Sequence, residues 1–585
     1  VSIDKARKRI RRAAEVQDST LDLSNLSLEF VPPEIADLTQ LTYLDLGANQ
    51  LTTLPAEIGN LTKLTHLNLR VNKLTVLPQE IGYLTRITNL NLGANRLTTL
   101  PAEIGNLTRL TYLTLGVNQL TELPPDIATL AQLIALGLHG NQLSELPSEI
   151  GILTQLTNLG LNGNQLIQLR SEIGNLTQLT YLNLGENQLT RLPPEIGNLT
   201  QLTYLNLGGN QLTGLPPEIG ELSRLATLDL NGNQLTKLPP EIGELSRLAT
   251  LHLNGNQLTG LPPECGDLTR LTELSLGDNP LVTPPPAVTA QGTQAVIEFM
   301  RGLLTRSQLQ WRSKLLLVGQ GGGGKTSLVK ALLGLPYDAG EVTTHGLQIT
   351  ELSVPHTDHS QELGRGIDEL HPDRTNVMMQ LAVWDFGGQE IYHATHQFFL
   401  TDQSLFVLVW NARAGYEYGR LRYWLDLITA RAPKAPILVV ATHAAERGPD
   451  LPRPQLRAAY PKICDFIEVD NATRDGIDEL RTLIARHAAA LPLMGRPWPA
   501  TWKAAQDAIR ADSHTHMPQA QVRDLLADHG NPEPETQNAL LGALHDLGEI
   551  LHWSDDPELV RQPKIVFCSP GRWSRVGKVG VWQGK

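Results

Sequence analysis

The chain has 585 residues and a formal net charge of −12, which makes it about four ordinary domains long and gives it no basic footprint for nucleic acid or an anionic lipid surface. Three cysteines, Cys265, Cys464 and Cys568, are too few and too scattered for a disulfide framework or a metal cluster, and they suit a reducing cytoplasm. No apolar run approaches the roughly 20 residues of a membrane-spanning helix, so the partners expected exclude both nucleic acid and membrane.

Residues 1–16, VSIDKARKRIRRAAEV, are basic, place Ile3, Ile10, Ala13 and Ala14 at helical spacing, and lack the apolar stretch of a secretion signal. They predict a helix capping a repeat array over 17–285 rather than a targeting segment. The array is marked by one residue type: Asn49, Asn72, Asn95, Asn118, Asn141, Asn164, Asn187, Asn210, Asn233, Asn256 and Asn279 follow one another at intervals of 23. The surrounding text, LTYLDLGANQLTTLPAEIGN, resembles the leucine-rich repeat, in which leucines stack inward from a short parallel strand and the asparagine side chain bonds backbone groups in the turn. A first turn from Leu21 carries Leu26 where the asparagine belongs, bringing the count to about twelve repeats with an atypical terminal one.

Side chains on either side of each strand's central leucine should line the concave face of such a solenoid. They include Tyr43, Tyr112, Tyr181 and Tyr204 among small polar groups, a mixture suited to an unidentified protein partner, although a merely soluble face would look similar. His66, His139 and His252 fall in three separate repeats and do not form a metal set. Prolines 284 to 286 then stop the array. Val296, Phe299, Met300 and Leu303, at i, i+3, i+4 and i+7, predict an amphipathic connecting helix within 286–311 and a fixed junction.

Residues 312–490 read as a P-loop doubly wound α/β domain, making the fold class α/β: a solenoid followed by a parallel sheet. The apolar strand KLLLV runs into Gly319, Gln320, Gly321, Gly322, Gly323, Gly324, Lys325, Thr326 and Ser327, the GxxxxGK[ST] phosphate cradle. Its backbone N–H groups and the following helix face phosphates, its lysine reaches the β and γ oxygens, and its hydroxyl serves Mg²⁺. Further on, VMMQLAVWDFGGQ ends a second strand at Asp385, whose carboxylate suits the metal's shell, with Gly388 turned toward a γ-phosphate and Gln389 placed to orient water. Between them Thr344, in THGL, supplies a third oxygen for the metal site of Thr326, Thr344 and Asp385. The runs SLFVLVWNAR, APILVVATHAAERG and FIEVDNATRDGIDELRTLI continue the strand and helix alternation.

The order of these parts resembles the Roco family, which joins leucine-rich repeats, a Ras-like Roc domain and a COR domain. The resemblance rests on the P-loop at Lys325, THGL at Thr344, WDFGGQEIYHATHQFF from Trp384, ATH at Thr442 and LPLMGRPWPATW from Leu491. It implies GTP and GDP as ligands, Mg²⁺ as cofactor, slow hydrolysis, and homodimerisation through Roc and COR coupled to the nucleotide. Residues 491–585 would then be the amino-terminal, helical part of COR, with a winged helix as one form; COR would continue beyond Lys585, so the chain is expected to be a fragment or truncated.

Ras-like proteins read guanine with NKxD, and Roco proteins often with THxD; here the stretch is Thr442, His443, Ala444, Ala445, then Glu446. Alanine cannot accept the base's hydrogen bonds. Thr442, His443 and a Glu446 shifted by one residue are the expected base-side contacts. A charged hydrogen bond of this type carries on the order of 1.5–3 kcal/mol. The chain therefore reads as a GTP-hydrolysing switch with Lys325 and Gln389 as its catalytic residues; the alternatives are a scaffold with little hydrolysis, or an enzyme that has lost its guanine preference. Arg365, Arg374 and Arg413 lie near the relevant loops, each as readily a surface arginine as a catalytic finger.

Overall fold

A computed structural model describes residues 2–340, 347–356, 377–386, 400–414, 420–444, 446, 448, 450–512, 514, 516–551 and 564–567. Two compact units emerge: Val1–Pro284 with Val296–Arg301, and Pro285–Ala295 with Gly302–Lys585.

The first unit starts with helix α1 (Ser2–Glu15), which buries Ala6, Ile10 and Ala13 against the first repeat. Ala14 faces solvent instead, and Ala6 completes the apolar stripe. Twelve strands, from β1 (Thr20–Asp22) and β2 (Tyr43–Asp45) to β12 (Glu273–Ser275), form one parallel sheet in chain order. Each is three residues long, too short to persist without neighbours. Pairing is in register with the repeat, Leu44 opposite Leu67 and Leu67 opposite Leu90, so the leucines superpose in one buried column. Nearly every repeat returns through a 3-10 turn entered at proline, such as Pro194–Asn198, which buries Ile196. Proline sets the backbone angle for that turn and gives up no ladder hydrogen bond.

The asparagines tie successive repeats together. Asn164 Nδ2 donates to the Leu161 carbonyl of its own repeat at 2.9 Å and to Leu138 of the one before at 3.0 Å, while its Oδ1 accepts from the Leu143 N–H at 3.1 Å. Asn72, Asn95, Asn118, Asn141, Asn187, Asn210, Asn233 and Asn256 repeat this three-way bond. Asn49 makes it as well, and its Oδ1 also accepts from the N–H of Leu26, the residue standing in the asparagine's place one repeat earlier.

The segment 286–311, whose residues divide between the two units, is not a single helix. Helices α2 (Pro286–Thr289) and α3 (Thr293–Thr305) are separated by Gly292 at φ +92°, a conformation that L side chains rarely adopt. Strand β13 (Ser307–Gln310) follows and pairs antiparallel with β20 (Arg496–Pro499). Its partner lies far along the chain, beyond the reach of a local pattern. Val296, Phe299, Met300 and Leu303 of α3 are buried as their spacing predicts.

The main sheet has six strands in the order β15 (Leu347–Pro355), β16 (Met378–Phe386), β14 (Arg312–Val318), β17 (Ser404–Asn411), β18 (Ile437–Thr442) and β19 (Ile463–Val469). All neighbours are parallel except β15 and β16. That antiparallel edge strand was not anticipated. Leu315 and Leu317 bury into one hydrophobic cluster and Leu316 and Val318 into another, which is why the strand reads as a continuous apolar run rather than an alternation. Helices α4 (Lys325–Leu332), α5 (Leu421–Arg431), α6 (Arg453–Ala459) and α7 (Ile477–Ala489) complete the domain among the described residues.

After β20 come α8 (Ala500–Ala511), β21 (His516–Pro518), α9 (Gln519–Asp528), α10 (Pro534–Asp546), β22 (Ile550–Leu551) and β23 (Lys564–Phe567). The three strands form an antiparallel sheet with β23 in the middle, the order of a winged helix. An ion-pair ring binds this module to the main sheet. Arg312 on β14 meets Glu351 on β15 at 2.5 Å and Glu549 at 2.8 Å, and Arg510 on α8 meets the same two carboxylates at 3.1 and 3.3 Å. Burial would raise the Glu351 carboxyl, but Arg312 and Arg510 outweigh it and hold the group below its usual value.

Candidate nucleotide-binding site

The carboxyl ends of β14, β16, β18 and β19 meet along one edge of the sheet, where open α/β folds bind ligands. Leaving β14, the chain turns at Gly319 with φ +140°; a Cβ there would collide with the Val409 carbonyl oxygen, so this approach requires glycine. Gln320, Gly321 and Gly322 are exposed, Gly323 is buried, and the Gly323 N–H donates to the Gln320 carbonyl at 3.3 Å. Gly324 caps α4, whose first turn holds Lys325, Thr326 and Ser327. The first amides of a helix have no partner within the helix, and together with the helix dipole they favour an anion.

Lys325 is 6% exposed. Its ammonium donates to the carbonyls of Gly319 at 2.9 Å and Gln320 at 3.0 Å. Burial pulls its pKa below lysine's usual value, and the Asp385 carboxylate works against that pull. Thr326 Oγ1 donates to Asp385 Oδ2 at 2.5 Å, bringing a hydroxyl and a buried carboxylate together between α4 and β16. Such an oxygen pair fits a hard divalent cation. Thr344, Gly388, Gln389 and Ala445 lie outside the described residues, as do Arg365 and Arg374.

The loop is also braced from behind. Asn411, ending β17, reaches the Gly322 carbonyl at 3.4 Å; Thr442, ending β18, donates to Gly323 at 2.8 Å; Asn471, just past β19, donates to Gly324 at 3.1 Å. Three successive strand ends hold three successive carbonyls. Thr442, expected at the base, is fully buried and turns its hydroxyl toward the loop, 3.3 Å from the Trp410 carbonyl as well. Glu446 has both oxygens engaged, Oε1 with His443 Nδ1 at 3.1 Å and Oε2 with Arg413 at 3.2 Å, while Arg413 also lies 3.0 Å from His443 Nε2. The shifted-acceptor role expected of Glu446 therefore competes with two existing bonds. Sequence reasoning gave neither Asn411 nor Asn471 a role; the one available signal was that each stands at the end of an apolar strand.

Residues 314–445 match the family profile of Roc, the Ras of Complex domain of DAPkinase, and residues 20–119, 101–193 and 193–283 match a leucine-rich repeat region. In its order of parts the chain is similar to the Roco proteins. It is 32% identical over 293 residues to "Probable serine/threonine-protein kinase pats1" of Dictyostelium discoideum, an alignment covering 47% of the chain and 9% of that protein. It is 26% identical over 314 residues to "Probable serine/threonine-protein kinase roco5" of the same organism, covering 47% of the chain and 11% of the relative. It thus spans about a tenth of the length of these relatives. Among solved structures it is similar to Methanosarcina barkeri Roco2 RocCORdC bound to GDP, at 28% identity over 45% of this chain and 75% of that one, with a TM-score of 0.38. No helix among the described residues is long and apolar enough to cross a membrane.

Proposed function

We propose that the chain is a guanine-nucleotide switch that binds GTP, hydrolyses it slowly to GDP and phosphate, and carries a protein-recognition arm. The observation that carries this reading is the buried Lys325 beside the Thr326–Asp385 pair on a P-loop, within a stretch that matches Roc. An ammonium has three N–H groups; two of those of Lys325 steady the loop and the third reaches the β and γ oxygens. Gly319 to Gly324, with Thr326 and Ser327 at the head of α4, cradle the phosphates. Thr326, Thr344 and Asp385 would hold Mg²⁺, which when bound supplies charge neutralisation on the phosphates. Gln389 orients a water for in-line attack on the γ-phosphorus as the bond to the β-phosphate oxygen breaks, with Gly388 donating its amide to the γ-phosphate. Thr442 and Asn471 hold the cradle in shape, and His443 and Glu446 stand on the base side. Positioning and charge do the catalytic work, so turnover is slow unless a partner adds an arginine, worth a factor of about 10³–10⁵. The repeats' concave face recognises a protein, and residues 491–585 act as the amino-terminal part of COR, supporting homodimerisation in the cytoplasm.

A second reading has its own observation: with Glu446 bonded to Arg413 and His443, and alanine at 445, guanine preference would be weak and the arm would act as a scaffold. Titration of GTP, GDP and ATP with Mg²⁺, followed by phosphate release, separates the two. The switch predicts GTP binding, slow release of phosphate, and loss of both in Lys325→Ala. ATP binding as tight as GTP binding would refute the guanine assignment, and binding of neither would leave the scaffold.

A further inference from the structure

From Thr20–Asp22 to Thr250–His252 each strand of the repeat sheet buries its central leucine and leaves the side chains on either side of it at least partly exposed. The chemistry of that outer face is one-sided. None of the twelve strands contains a lysine or arginine, but they carry four carboxylates, Asp22, Asp45, Asp229 and Glu273. The basic side chains of the array stand outside the strands, Arg224, Arg247 and Arg270 in the turns that precede them. Among the described residues no lysine or arginine forms an ion pair with Asp45, Asp229 or Glu273; the last two lie 3.9 and 3.2 Å from the ring of His252.

Next to Asp229, on the two preceding strands, Tyr204 and Tyr181 stack with centroids 4.7 Å apart and planes 5° from parallel. Burial, Tyr181 and the Asp229 carboxylate raise the Tyr204 phenol against a hydrogen bond with Asn206, so ring and carboxylate are close enough to act on one ligand. A flat aromatic surface beside a carboxylate with no cation of its own suits a guanidinium, which stacks on the ring and donates to the oxygens. Toward the other end of the sheet Asp45 again has a tyrosine, Tyr43, whose hydroxyl donates to it at 3.4 Å. Seven strand steps separate Asp45 from Tyr204. At about 4.8 Å each they amount to about 34 Å, the reach of about ten residues of extended chain. Between them Gly160 leaves the backbone bare: a Cβ there would meet nothing within 4 Å.

We propose that this face docks an extended basic segment of a protein partner, with an arginine over the Tyr181–Tyr204 pair against Asp229 and further cations toward Asp45. The proposal rests on the protein-recognition reading of the arm and gives the partner its chemistry; it is independent of the nucleotide.

Fluorescence anisotropy of the full chain with a labelled decapeptide alternating arginine and serine, against one alternating glutamate and serine, tests it. The basic peptide should bind and the acidic one should not. Asp229→Asn, which keeps an acceptor for the Asn231 N–H, should weaken binding about 10-fold. Tyr204→Ala should weaken it about 5-fold, and Tyr204→Phe, which keeps the ring, should restore most of that loss. Gly160→Val puts a side chain into open space, so it should weaken binding while leaving the thermal melt unchanged. Glu241→Gln removes the same charge from the 3-10 turn Pro240–Glu244 and should leave the affinity as it is; a loss there equal to that of Asp229→Asn would mean diffuse attraction and overturn the proposal. Failure of the basic peptide to bind overturns it as well. Binding of the acidic peptide that Gly160→Val abolishes overturns the cationic partner and leaves the recognition arm standing, whereas peptide binding that no variant on this face alters overturns both.

Discussion

The repeat unit and the nucleotide unit both hold backbone carbonyls in place with side-chain amides and hydroxyls, but they distribute the task differently. In the solenoid one residue type at one interval does it many times, each asparagine bonding its own repeat and the preceding one. In the nucleotide unit three residues from three strand ends, Asn411, Thr442 and Asn471, hold Gly322, Gly323 and Gly324 in turn, and each occurs once. Repetition spreads the consequence of a single loss along an array. Singular bracing concentrates it at the point where phosphate is to be held.

The sharpest test of that contrast sets a central rung against a terminal one. Asn164→Ala leaves the carbonyls of Leu138 and Leu161 and the N–H of Leu143 unpaired in the interior; at about 1–3 kcal/mol for each buried group, the loss should reach roughly 3 kcal/mol or more. Asn279 makes the same kind of bonds but is only partly buried, so water replaces its amide and Asn279→Ala should cost about 1 kcal/mol or less. Chemical denaturation measures both, and hydrogen exchange should confine the Asn164 effect to neighbouring repeats. Equal losses would mean that position in the array does not matter.

The ion-pair ring comes next. Glu351→Gln leaves Arg312 and Arg510 facing one carboxylate, Glu549, instead of two, and should cost about 2 kcal/mol, less than the 3–5 kcal/mol of a fully buried pair because Glu351 keeps some exposure. Its pKa is depressed on folding, so its contribution is present above the ordinary carboxylate value near 4.5 and is lost as pH falls through the depressed value. Urea melts from pH 7 downward should show the difference between wild type and variant shrinking below that point. A difference independent of pH would assign the effect to packing. Smallest is Arg413→Ala: its pair with Glu446 is about half exposed, and stability should move by at most about 1 kcal/mol.

The two units were also legible to different degrees. The asparagine interval announced the solenoid, its strands and its bonding, because every repeat restates the rule. The P-loop announced Lys325 and Thr326, and the end of the next strand announced Asp385, since phosphate chemistry demands those residue types at fixed spacing. Less legible was whatever depends on partners distant in sequence. Strand β15 was missed because its burial pattern slips between Ile349 and Leu352, which enter different hydrophobic clusters, and β13 because its partner strand begins at Arg496. Asn411 and Asn471 act 89 and 147 residues from their carbonyls; beyond the apolar strands they follow, nothing in their immediate neighbours marks them. Thr442 was found for its place in a motif, while the direction of its hydroxyl depended on the fold.

The rungs have a consequence for how such a molecule can change its size. Because each asparagine bonds one carbonyl three residues back and another 26 residues back, an insertion of arbitrary length would set every later amide opposite the wrong partner. A whole block of 23 residues meets no such penalty, since it brings its own asparagine and presents the same face to both neighbours. Such an arm can lengthen or shorten in whole steps, like a ladder cut between rungs, while the nucleotide domain keeps every one of its contacts.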